Sequence, residues 1–453
     1  MSSWMNMEKF LREYVYQVET DFSVDGESAS WAPTRDRPAH RFWDDEDDKI
    51  DLRFSNNESS RLSSFAVSHD EKYVAYSDGS IVGVSNIETR AQRTLFRGLT
   101  LPCVNLMFSP ALNESGGYTL LLLQSSLYPV MSEMNDFLNI GPESPLLEMV
   151  RQGYLKTLEK LRASVESRNL PNIPGCTSGF GSNPSTSDGR LFLYLIQNET
   201  TQSGSRPAAE LPKVIVHDVV NNRLLHTLSG HEDAIMWTAF SPNDQYIATA
   251  AWDGTFRIYN VSSGDCKHII GPTGGQCWSG AWSPDSKHIL LSGMTDEGEG
   301  EGFRNNTFVA VYSVETAQQI NRFKHERLRS WVRCVAWSPK GDIAIVHETN
   351  LWIWDPFENE IVSEFSLKID DRMMGGFAGF RKVQWVNNGD VLIVRAGDGT
   401  VEVWDRVGNT KYRLQRPKGS GIERDIRAVQ WIQKDKTLRT LSSDGFMRMY
   451  RFA

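Results

Sequence analysis

The stretch LSGHEDAIMWTAFSPNDQYIATAAWDGTFRIYN, residues 228–260, decides the fold. Its apolar residues form three short strands, separated by the turn SPND and by a tight turn that contains Asp-Gly. The same stretch carries a histidine, a threonine and an aspartate (His231, Thr249 and Asp253). In isolation these three residue types suggest a catalytic constellation, so the remaining sequence must distinguish catalysis from a structural role.

The pattern of this stretch recurs four times downstream. The recurring phrases are GAWSPDSKHILLSG, VAWSPKGDIAIVHETNLWIWD, VQWVNNGDVLIVRAGDGTVEVWD and VQWIQKDKTLRTLSSDGFMRMY. The aromatic residues that align across the five units are Phe240, Trp282, Trp337, Trp385 and Trp431. They recur at intervals of roughly 40 to 55 residues, which is typical of a propeller with one four-stranded sheet per repeat.

These units resemble WD40 repeats. Gly230-His231 matches the opening of such a repeat, and Trp354-Asp355 and Trp404-Asp405 match its closing dipeptide. The resemblance covers about residues 60 to 453 and is strongest from Lys213 onward. It implies an all-β, seven-bladed WD40-type β-propeller, with a diverged first blade and a second blade that is interrupted by a long insertion.

Two segments depart from the repeats and predict helices. Residues 1–47 begin with apolar residues at helical spacing and continue as an acidic, extended arm. The insertion, residues 126–188, has apolar residues at the spacing of an amphipathic helix over about residues 145–168. We therefore expect an N-terminal helical arm and a helical insertion in blade two. We expect residues 48–453 to form the propeller, with the strand DKIDLRFSNN closing the last blade.

Composition limits the functional classes. The net charge of −9 argues against a nucleic-acid-binding surface over the whole protein. Five scattered cysteines without a CxxC pair indicate a reducing compartment, so we expect a cytoplasmic or nuclear protein that is not secreted. The longest apolar run is too short to cross a membrane. No phosphate-binding loop, metal-spaced cluster or nucleophile elbow occurs, so we predict no enzyme activity, metal or cofactor.

The resemblance gives the opening residues a structural role. In WD40 blades, a histidine, a strand hydroxyl, a turn aspartate and a closing aromatic form a hydrogen-bonded tetrad. His231, Thr249, Asp253 and Tyr259 occupy these positions, with tyrosine in place of tryptophan. Asp398 and Asp444 occupy the same turn in later blades, but neither has a Gly-His histidine. We expect a tetrad in the third blade, and the sequence leaves open whether a polar network forms in the later blades.

The candidate binding residues lie four positions before the aligned aromatics. They are Met236, Trp278, Arg333, Arg381 and Arg427, with Trp237 and Trp331 close by in sequence. By resemblance, this position begins the innermost strand at one mouth of the channel, where WD40 proteins commonly bind peptides. Arginine recognises carboxylate or phosphate groups, and aromatic residues serve as binding anchors. The alternative is that Asp371, Asp425 or an acidic segment of the chain neutralises the arginines.

We therefore predict a non-catalytic scaffold in a multi-subunit complex that docks protein partners through an acidic or phosphorylated peptide. One alternative is a ubiquitin-ligase substrate adaptor, because family members with that role often carry Trp-Asp-x-Arg. Here Arg406 follows Trp404-Asp405 one position too early. A propeller hydrolase or lyase is the third hypothesis, and it requires a metal or a cluster of acids in the channel.

Overall fold

Apolar and polar residues alternate in the repeats, which is typical of β-strands. The limits of these strands come from a computed structural model of the protein. The structure describes residues 15–20, 22–33, 38–54, 62, 64–97, 103–112, 118–124, 184–196, 211–221, 223–295, 307–328, 332–368, 379–417 and 426–452. These residues form a seven-bladed all-β propeller. The predicted propeller architecture is confirmed.

The first four blades follow one another along the chain. Blade 1 contains β7 (Ser64–Val67), β8 (Tyr73–Ser77), β9 (Ile81–Asn86) and β10 (Gln92–Arg97). Blade 2 contains the hairpin β11 (Cys103–Leu112) and β12 (Tyr118–Gln124), and the sheet β13 (Leu191–Ile196), β14 (Lys213–Asp218) and β15 (Arg223–Leu228). Blade 3 contains β16 (Ile235–Phe240), β17 (Tyr246–Ala251), β18 (Phe256–Asn260) and β19 (Cys266–Ile270). Blade 4 contains β20 (Gly274–Trp282), β21 (His288–Thr295), β22 (Thr307–Ser313) and β23 (Gln319–Arg322).

Blades 5 to 7 complete the ring. Blade 5 contains β24 (Cys334–Trp337), β25 (Ile343–His347), β26 (Asn350–Asp355) and β27 (Glu360–Leu367). Blade 6 contains β28 (Phe380–Val386), β29 (Val391–Ala396), β30 (Val401–Asp405) and β31 (Thr410–Gln415). Blade 7 contains β32 (Ile426–Ile432), β33 (Thr437–Ser442) and β34 (Phe446–Arg451).

The first strand of each blade is the innermost one. Strand β16 contacts β20, β20 contacts β24, and β24 contacts β28, while β32 meets β7 across the closure. The fourth strand of blade 7 is β6 (Asp48–Asp51), which pairs antiparallel with β34. This is the pairing expected from the sequence, and it covers the exposed edge of the last blade.

The residues before β6 form an arm of short strands: β1 (Val18–Thr20), β2 (Ser23–Val24), β3 (Glu27–Ser28), β4 (Ser30–Trp31) and β5 (His40–Phe42). Strand β1 pairs with β27, the outermost strand of blade 5. Strands β4 and β5 pair in parallel with β31, the outermost strand of blade 6. The arm therefore covers the outer edges of these two blades.

Aromatic side chains fix the arm on the blades. The buried ring of Phe22 stacks on Phe365 of blade 5 at 4.3 Å between centroids and on Trp404 of blade 6 at 4.9 Å. The indole nitrogen of Trp43 donates to the carbonyl of Gly399 at 3.2 Å. The hydroxyl of Tyr450 donates to the carbonyl of Trp43 at 2.8 Å, which links the arm to blade 7. These contacts make the arm part of the core.

The prediction of a helical arm and a helical insertion is wrong for the fold as the structure describes it. The only helix among the described residues is a single 3₁₀ turn, Asn387–Gly389. Nearly all of the apolar residues at helical spacing lie among residues 1–14, outside the described residues, and the described part of the arm contributes strands, because its backbone groups pair with blade edges that have room for another strand. The helix predicted at residues 145–168 lies outside the described residues. In the part of the chain that is described, no helix is apolar and long enough to cross a membrane.

Candidate functional site at the upper mouth

A β-bulge recurs near the beginning of the innermost strands. In blades 3, 4, 6 and 7 the pairing of the first two strands skips one residue. The skipped residues are Met236, Trp278, Arg381 and Arg427. In blade 5 the amide of Arg333 donates to the carbonyl of Val346, the residue that also pairs with Cys334. Bulges redirect a side chain out of the regular ladder, so four of the five positions share this feature, whereas the pairing of β24 with β25 shows no register shift.

The end of the ring where the innermost strands begin is called the upper mouth below. Arg427 is exposed there, whereas Arg333 and Arg381 are half-buried. Each of the three arginines also interacts with other parts of the chain. Because Arg333, Arg381 and Arg427 stand at the start of the innermost strands of blades 5, 6 and 7, the three residues lie at the same end of the ring.

The apolar candidates divide into surface and core residues. Trp278 is half-buried, whereas Met236 and Trp237 are only 7% and 1% exposed. The ring of Trp237 lies 2.9 Å from the position that a Cβ on Gly280 would occupy, so it packs between blades 3 and 4. Trp331 lies outside the described residues. Of the predicted apolar contact residues that are described, Trp278 is the most accessible.

A second tryptophan, which the sequence reasoning missed, accompanies Trp278. Trp252 lies in the turn between β17 and β18, and its ring meets the edge of Trp278 at 5.9 Å with an interplanar angle of 73°. The amide of Trp252 donates to the carbonyl of Ala234 at 2.9 Å, which fixes the turn. The signal in the sequence was a large aromatic residue directly before the Asp-Gly turn. The pair forms an aromatic surface beside blades 3 and 4.

Two further cations extend the basic character of the mouth. Lys382 follows Arg381 on β28 and pairs directly across the sheet with Arg395 on β29. The Nη1 atom of Arg395 donates to the carbonyls of Ile426 and Arg427, at 2.7 and 2.6 Å. Arg395 therefore joins blade 6 to the start of the innermost strand of blade 7.

The charged form of Lys382 is disfavoured by its surroundings. Burial by the surrounding protein lowers its pKa, and the charge of Arg395 lowers it further. The side chain nevertheless retains access to solvent. A cation that is partly desolvated and still accessible attracts an anion more strongly than a fully hydrated one.

His231, Thr249 and Asp253 lie in direct contact in blade 3. The Nε2 atom of His231 lies 2.7 Å from Oγ1 of Thr249, and its Nδ1 atom lies 2.7 Å from Oδ2 of Asp253. Asp253 also accepts hydrogen bonds from the amide and hydroxyl of Thr255, at 2.8 and 2.7 Å. Burial alone would raise the pKa of Asp253, but these bonds and the charge of His231 lower it to about 2.

The other members of this set differ between blades. The hydroxyl of Tyr259 donates to the carbonyl of Ser229 at 3.2 Å. In blade 6, Asp398 accepts from the amide of Thr400 at 2.8 Å, and burial raises the pKa of Asp398 to about 6. In blade 7, Asp444 forms an ion pair with Arg448 at 2.6 Å. The aspartate carboxylate at this turn position thus has a histidine partner in blade 3, a threonine partner in blade 6 and an arginine partner in blade 7.

No group of three or more histidine, cysteine, aspartate or glutamate side chains in the described ranges is placed to hold a metal ion. What the upper mouth offers chemically is a set of guanidinium and ammonium groups and a pair of indole rings. These groups bind anions and apolar side chains.

Comparison with known proteins agrees with this architecture. The family model described as "WD domain, G-beta repeat" matches residues 222–260. Apoptotic protease-activating factor 1 of Danio rerio is 25% identical over 194 residues, covering 40% of this chain and 14% of that protein. WD repeat-containing protein 26 homolog of Arabidopsis thaliana is 37% identical over 73 residues, covering 16% and 12%. Pre-mRNA-processing factor 19 of Bos taurus is 23% identical over 207 residues, covering 44% and 38%.

Residues 222–260 match a WD40 repeat, and the described residues have the propeller fold that such repeats build. The chain spans well under half the length of each of these relatives, so the similarity establishes the repeat and its fold rather than any relative's activity. The WD40 propeller typically serves as a scaffold for protein interaction, and the present chain has that architecture.

Proposed function

We propose that this chain is a non-catalytic docking platform whose upper mouth holds an acidic or phosphorylated peptide of a protein partner. The observation that supports the proposal is the common position of Arg333, Arg381 and Arg427 at the start of the innermost strands of blades 5, 6 and 7, with a bulge at Arg381 and at Arg427. Guanidinium groups at neighbouring positions suit carboxylate and phosphate groups, because each can donate two parallel hydrogen bonds. Trp278 and Trp252 supply apolar contact for side chains next to the anion.

Reversing the three charges tests the proposal. The variant Arg333→Glu/Arg381→Glu/Arg427→Glu should lose the partners that full-length wild-type chain captures from an extract, as measured by affinity purification and mass spectrometry. Its far-UV circular dichroism and thermal midpoint should stay close to those of the wild type. Retention of the same partners by a folded triple variant would refute the docking site.

A matched control carries the same charge change elsewhere. Arg93 and Arg97 on β10 and Arg223 on β15 are exposed arginines on outermost strands, away from the mouth. Changing these three to glutamate should leave partner capture intact. Loss of capture in the control as well would mean that net charge, and not the mouth, governs binding.

The two alternative functions gain no support from the site. Arg406, the residue on which the adaptor hypothesis depends, forms an ion pair with Asp342 and lies over the ring of Trp385 at 5.3 Å. His231 and Asp253 bond to each other and to threonines of the scaffold, which gives no indication of a hydrolase or lyase. Our proposal includes a reducing compartment, cytoplasm or nucleus, because Cys103, Cys266, Cys277 and Cys334 are free thiols. Imaging of the tagged full-length protein tests that part.

A further inference from the structure

One hairpin of blade 5 carries a group of exposed apolar side chains. It joins β26 to β27 and is called the blade 5 hairpin below, residues 355–363. Phe357, Ile361 and Val362 are 50%, 40% and 43% exposed. The strands of this blade are antiparallel and β26 is the third of them, so the hairpin lies at the end of the ring opposite the upper mouth. Exposed apolar side chains that are grouped, unlike scattered ones, mark interaction sites.

A β-bulge lies within this group. The pairing of β26 with β27 skips Val362, which stands between Ile361 and Ser363. Successive side chains of a regular strand point to opposite faces, whereas a bulge redirects one of them. Ile361 and Val362 are neighbours in the chain, yet both are exposed.

Blades 2, 3 and 4 have a bulge at the same place in the outermost strand but a different surface. The skipped residues are Leu225, Lys267 and Ile320. Leu225 is half-buried, Lys267 is a cation, and the residue before Ile320 is a glutamine. Within the described blades, two neighbouring exposed aliphatic side chains at this bulge therefore occur only in blade 5.

Phe357 is held in position at the turn of the hairpin. The carboxylate of Asp355 accepts a hydrogen bond from the amide of Phe357 at 2.8 Å. The side-chain amide of Asn321 in blade 4 donates to the carbonyl of Pro356 at 2.7 Å. The ring of His288, also in blade 4, meets the ring of Phe357 at 5.1 Å between centroids with an interplanar angle of 71°. A half-exposed ring that is already held offers a partner an aromatic contact at a low cost in conformational entropy.

Two carboxylates flank the apolar side chains. Glu358 and Glu360 are exposed, and within the described part of the chain neither side chain forms an ion pair or a hydrogen bond. By contrast, Glu364 further along β27 pairs with Arg327 at 2.8 Å. The negative charge of the hairpin disfavours contact with an anionic lipid surface or a nucleic acid. It also disfavours a two-fold dimer, in which the same hairpin of a second copy would lie opposite.

We propose that the blade 5 hairpin binds a segment of a protein partner in which apolar residues are flanked by lysine or arginine. The apolar residues of that segment contact Phe357, Ile361 and Val362, and its cations lie beside Glu358 and Glu360. Complementary charge gives such a contact its specificity, while the apolar side chains supply most of its binding energy. The hairpin and the upper mouth lie at opposite ends of the ring and select segments of opposite charge, so this inference does not depend on docking at the mouth.

The first measurement follows the hairpin directly in the full-length chain. Isoleucine δ1-methyl groups are labelled with ¹³C, and Ile361→Val identifies the Ile361 signal by its loss. Two synthetic peptide pools share phenylalanine, leucine or isoleucine at their central positions and differ only in lysine or glutamate at the flanking positions. The lysine pool should shift the Ile361 signal, and the glutamate pool at the same concentration should not. Ile269, an exposed isoleucine on the outermost strand of blade 3, is the internal control and should not shift with either pool.

The second measurement uses substitutions of exposed side chains, with unchanged thermal midpoints as the check on folding. Phe357→Ser should weaken the apparent affinity of the lysine pool, read from the Ile361 signal, at least about tenfold. Val407→Ser is the matched control, because Val407 is an exposed valine at the same turn position in blade 6, and it should leave the affinity unchanged.

Charge reversal tests the selectivity of the hairpin. Glu358→Lys/Glu360→Lys should invert the preference, so that the glutamate pool and not the lysine pool shifts Ile361. Its control is Glu88→Lys/Glu232→Lys, which changes two exposed glutamates outside the hairpin and should keep the preference for lysine.

Four results would overturn the inference. Equal shifts of Ile361 by both pools would show that charge does not select the ligand. An unchanged affinity in Phe357→Ser would remove the aromatic contact. A dimer in sedimentation that Phe357→Ser dissociates would make a second copy the occupant. A shift of Ile361 by vesicles of phosphatidylserine, with none by the lysine pool, would make a lipid surface the occupant.

The triple arginine reversal separates this inference from docking at the mouth. A shift of Ile361 by the lysine pool in that variant, equal to the shift in the wild type, supports the hairpin site whatever happens to the partners captured at the mouth. Loss of that shift in the folded variant would place the binding of the lysine pool under the control of the mouth and overturn the separate site.

Discussion

The same substitution should have opposite effects on stability in blades 3 and 6. Asp253 and Asp398 both lie in the turn between the second and third strands of their blade. Asp253 contacts His231, whereas Asp398 is bonded by Thr400 within a buried turn. We expect Asp253→Asn to destabilise the protein and Asp398→Asn to stabilise it at pH 7.5.

The magnitude for Asp253 follows from its pKa, which is about 2 instead of 3.8. A lowered pKa in the folded state means that the ionised carboxylate stabilises the fold. That contribution is fully present above pH 3.8 and is lost as the pH falls through about 2. The difference of roughly 1.8 units corresponds to about 2.5 kcal/mol of unfolding free energy. Because asparagine lacks the charge, Asp253→Asn should lose most of this unfolding free energy.

The sign reverses for Asp398, because its pKa is raised to about 6 from 3.8. The ionised form destabilises the folded state, so stability is highest below pH 3.8 and falls as the pH rises through about 6. The difference of roughly 2.2 units corresponds to about 3 kcal/mol at neutral pH. Asparagine keeps a carbonyl oxygen for the amide of Thr400 and removes the charge.

Urea unfolding, monitored by tryptophan fluorescence, measures both effects at pH 7.5 and pH 4.5. At pH 4.5 the gain from Asp398→Asn should shrink to about 1 kcal/mol, because the native carboxyl is then protonated. The loss from Asp253→Asn should remain near its value at pH 7.5. Midpoints that move in the same direction at pH 7.5, or a gain for Asp398→Asn that is independent of pH, would refute this reasoning.

Two further substitutions probe the contact between the arm and blade 6. Gly399→Ala should destabilise the protein by roughly 1–3 kcal/mol, because Gly399 has φ +84° and a methyl group there would overlap the ring of Trp43. Gly341→Ala is its control: φ is +108° with open space around the Cβ, so an equal loss in urea unfolding would exclude the overlap as the cause. Glu402→Gln should cost about 3–5 kcal/mol, since it removes the buried partner of Arg413, and hydrogen exchange of residues 30–43 should rise with it. A loss below about 1 kcal/mol would show that Arg413 is satisfied without the carboxylate.

The sequence predicted those features that repeat. Five aligned aromatics and the Asp-Gly turns defined the blades, since each repeat buries the same face of its strands against the next. The strand at residues 48–51 was also predictable, because the last repeat ended one strand short. Alignment alone also predicted which residues stand at the start of the innermost strands, although it could not show the bulges at Met236, Trp278, Arg381 and Arg427.

Features that occur once were not predictable in this way. The arm pairs with blade edges through strands of two or three residues, which are too short to show a periodicity of two. Trp237 was expected at the mouth because it follows Met236 in the sequence, but both side chains are buried, and the ring of Trp237 packs against blade 4. Lys382 and Arg395 lie opposite each other because of the register between β28 and β29. The bulge at Arg381 sets this register, and the sequence alone does not reveal the bulge.

The arm and the upper mouth belong to the same three blades. Blades 5, 6 and 7 carry Arg333, Arg381 and Arg427 on their innermost strands, and the same blades receive strands from residues 18–51. Like charges on neighbouring strands disfavour the close approach of those strands. The stacked ring of Phe22 ties blade 5 to blade 6, and Trp43 ties blade 6 to blade 7, so apolar burial at the periphery opposes that repulsion. Under the proposed docking function, a ring braced in this way holds the residues of the mouth in place before the peptide arrives, and a preorganised site binds its ligand more tightly than one that must assemble.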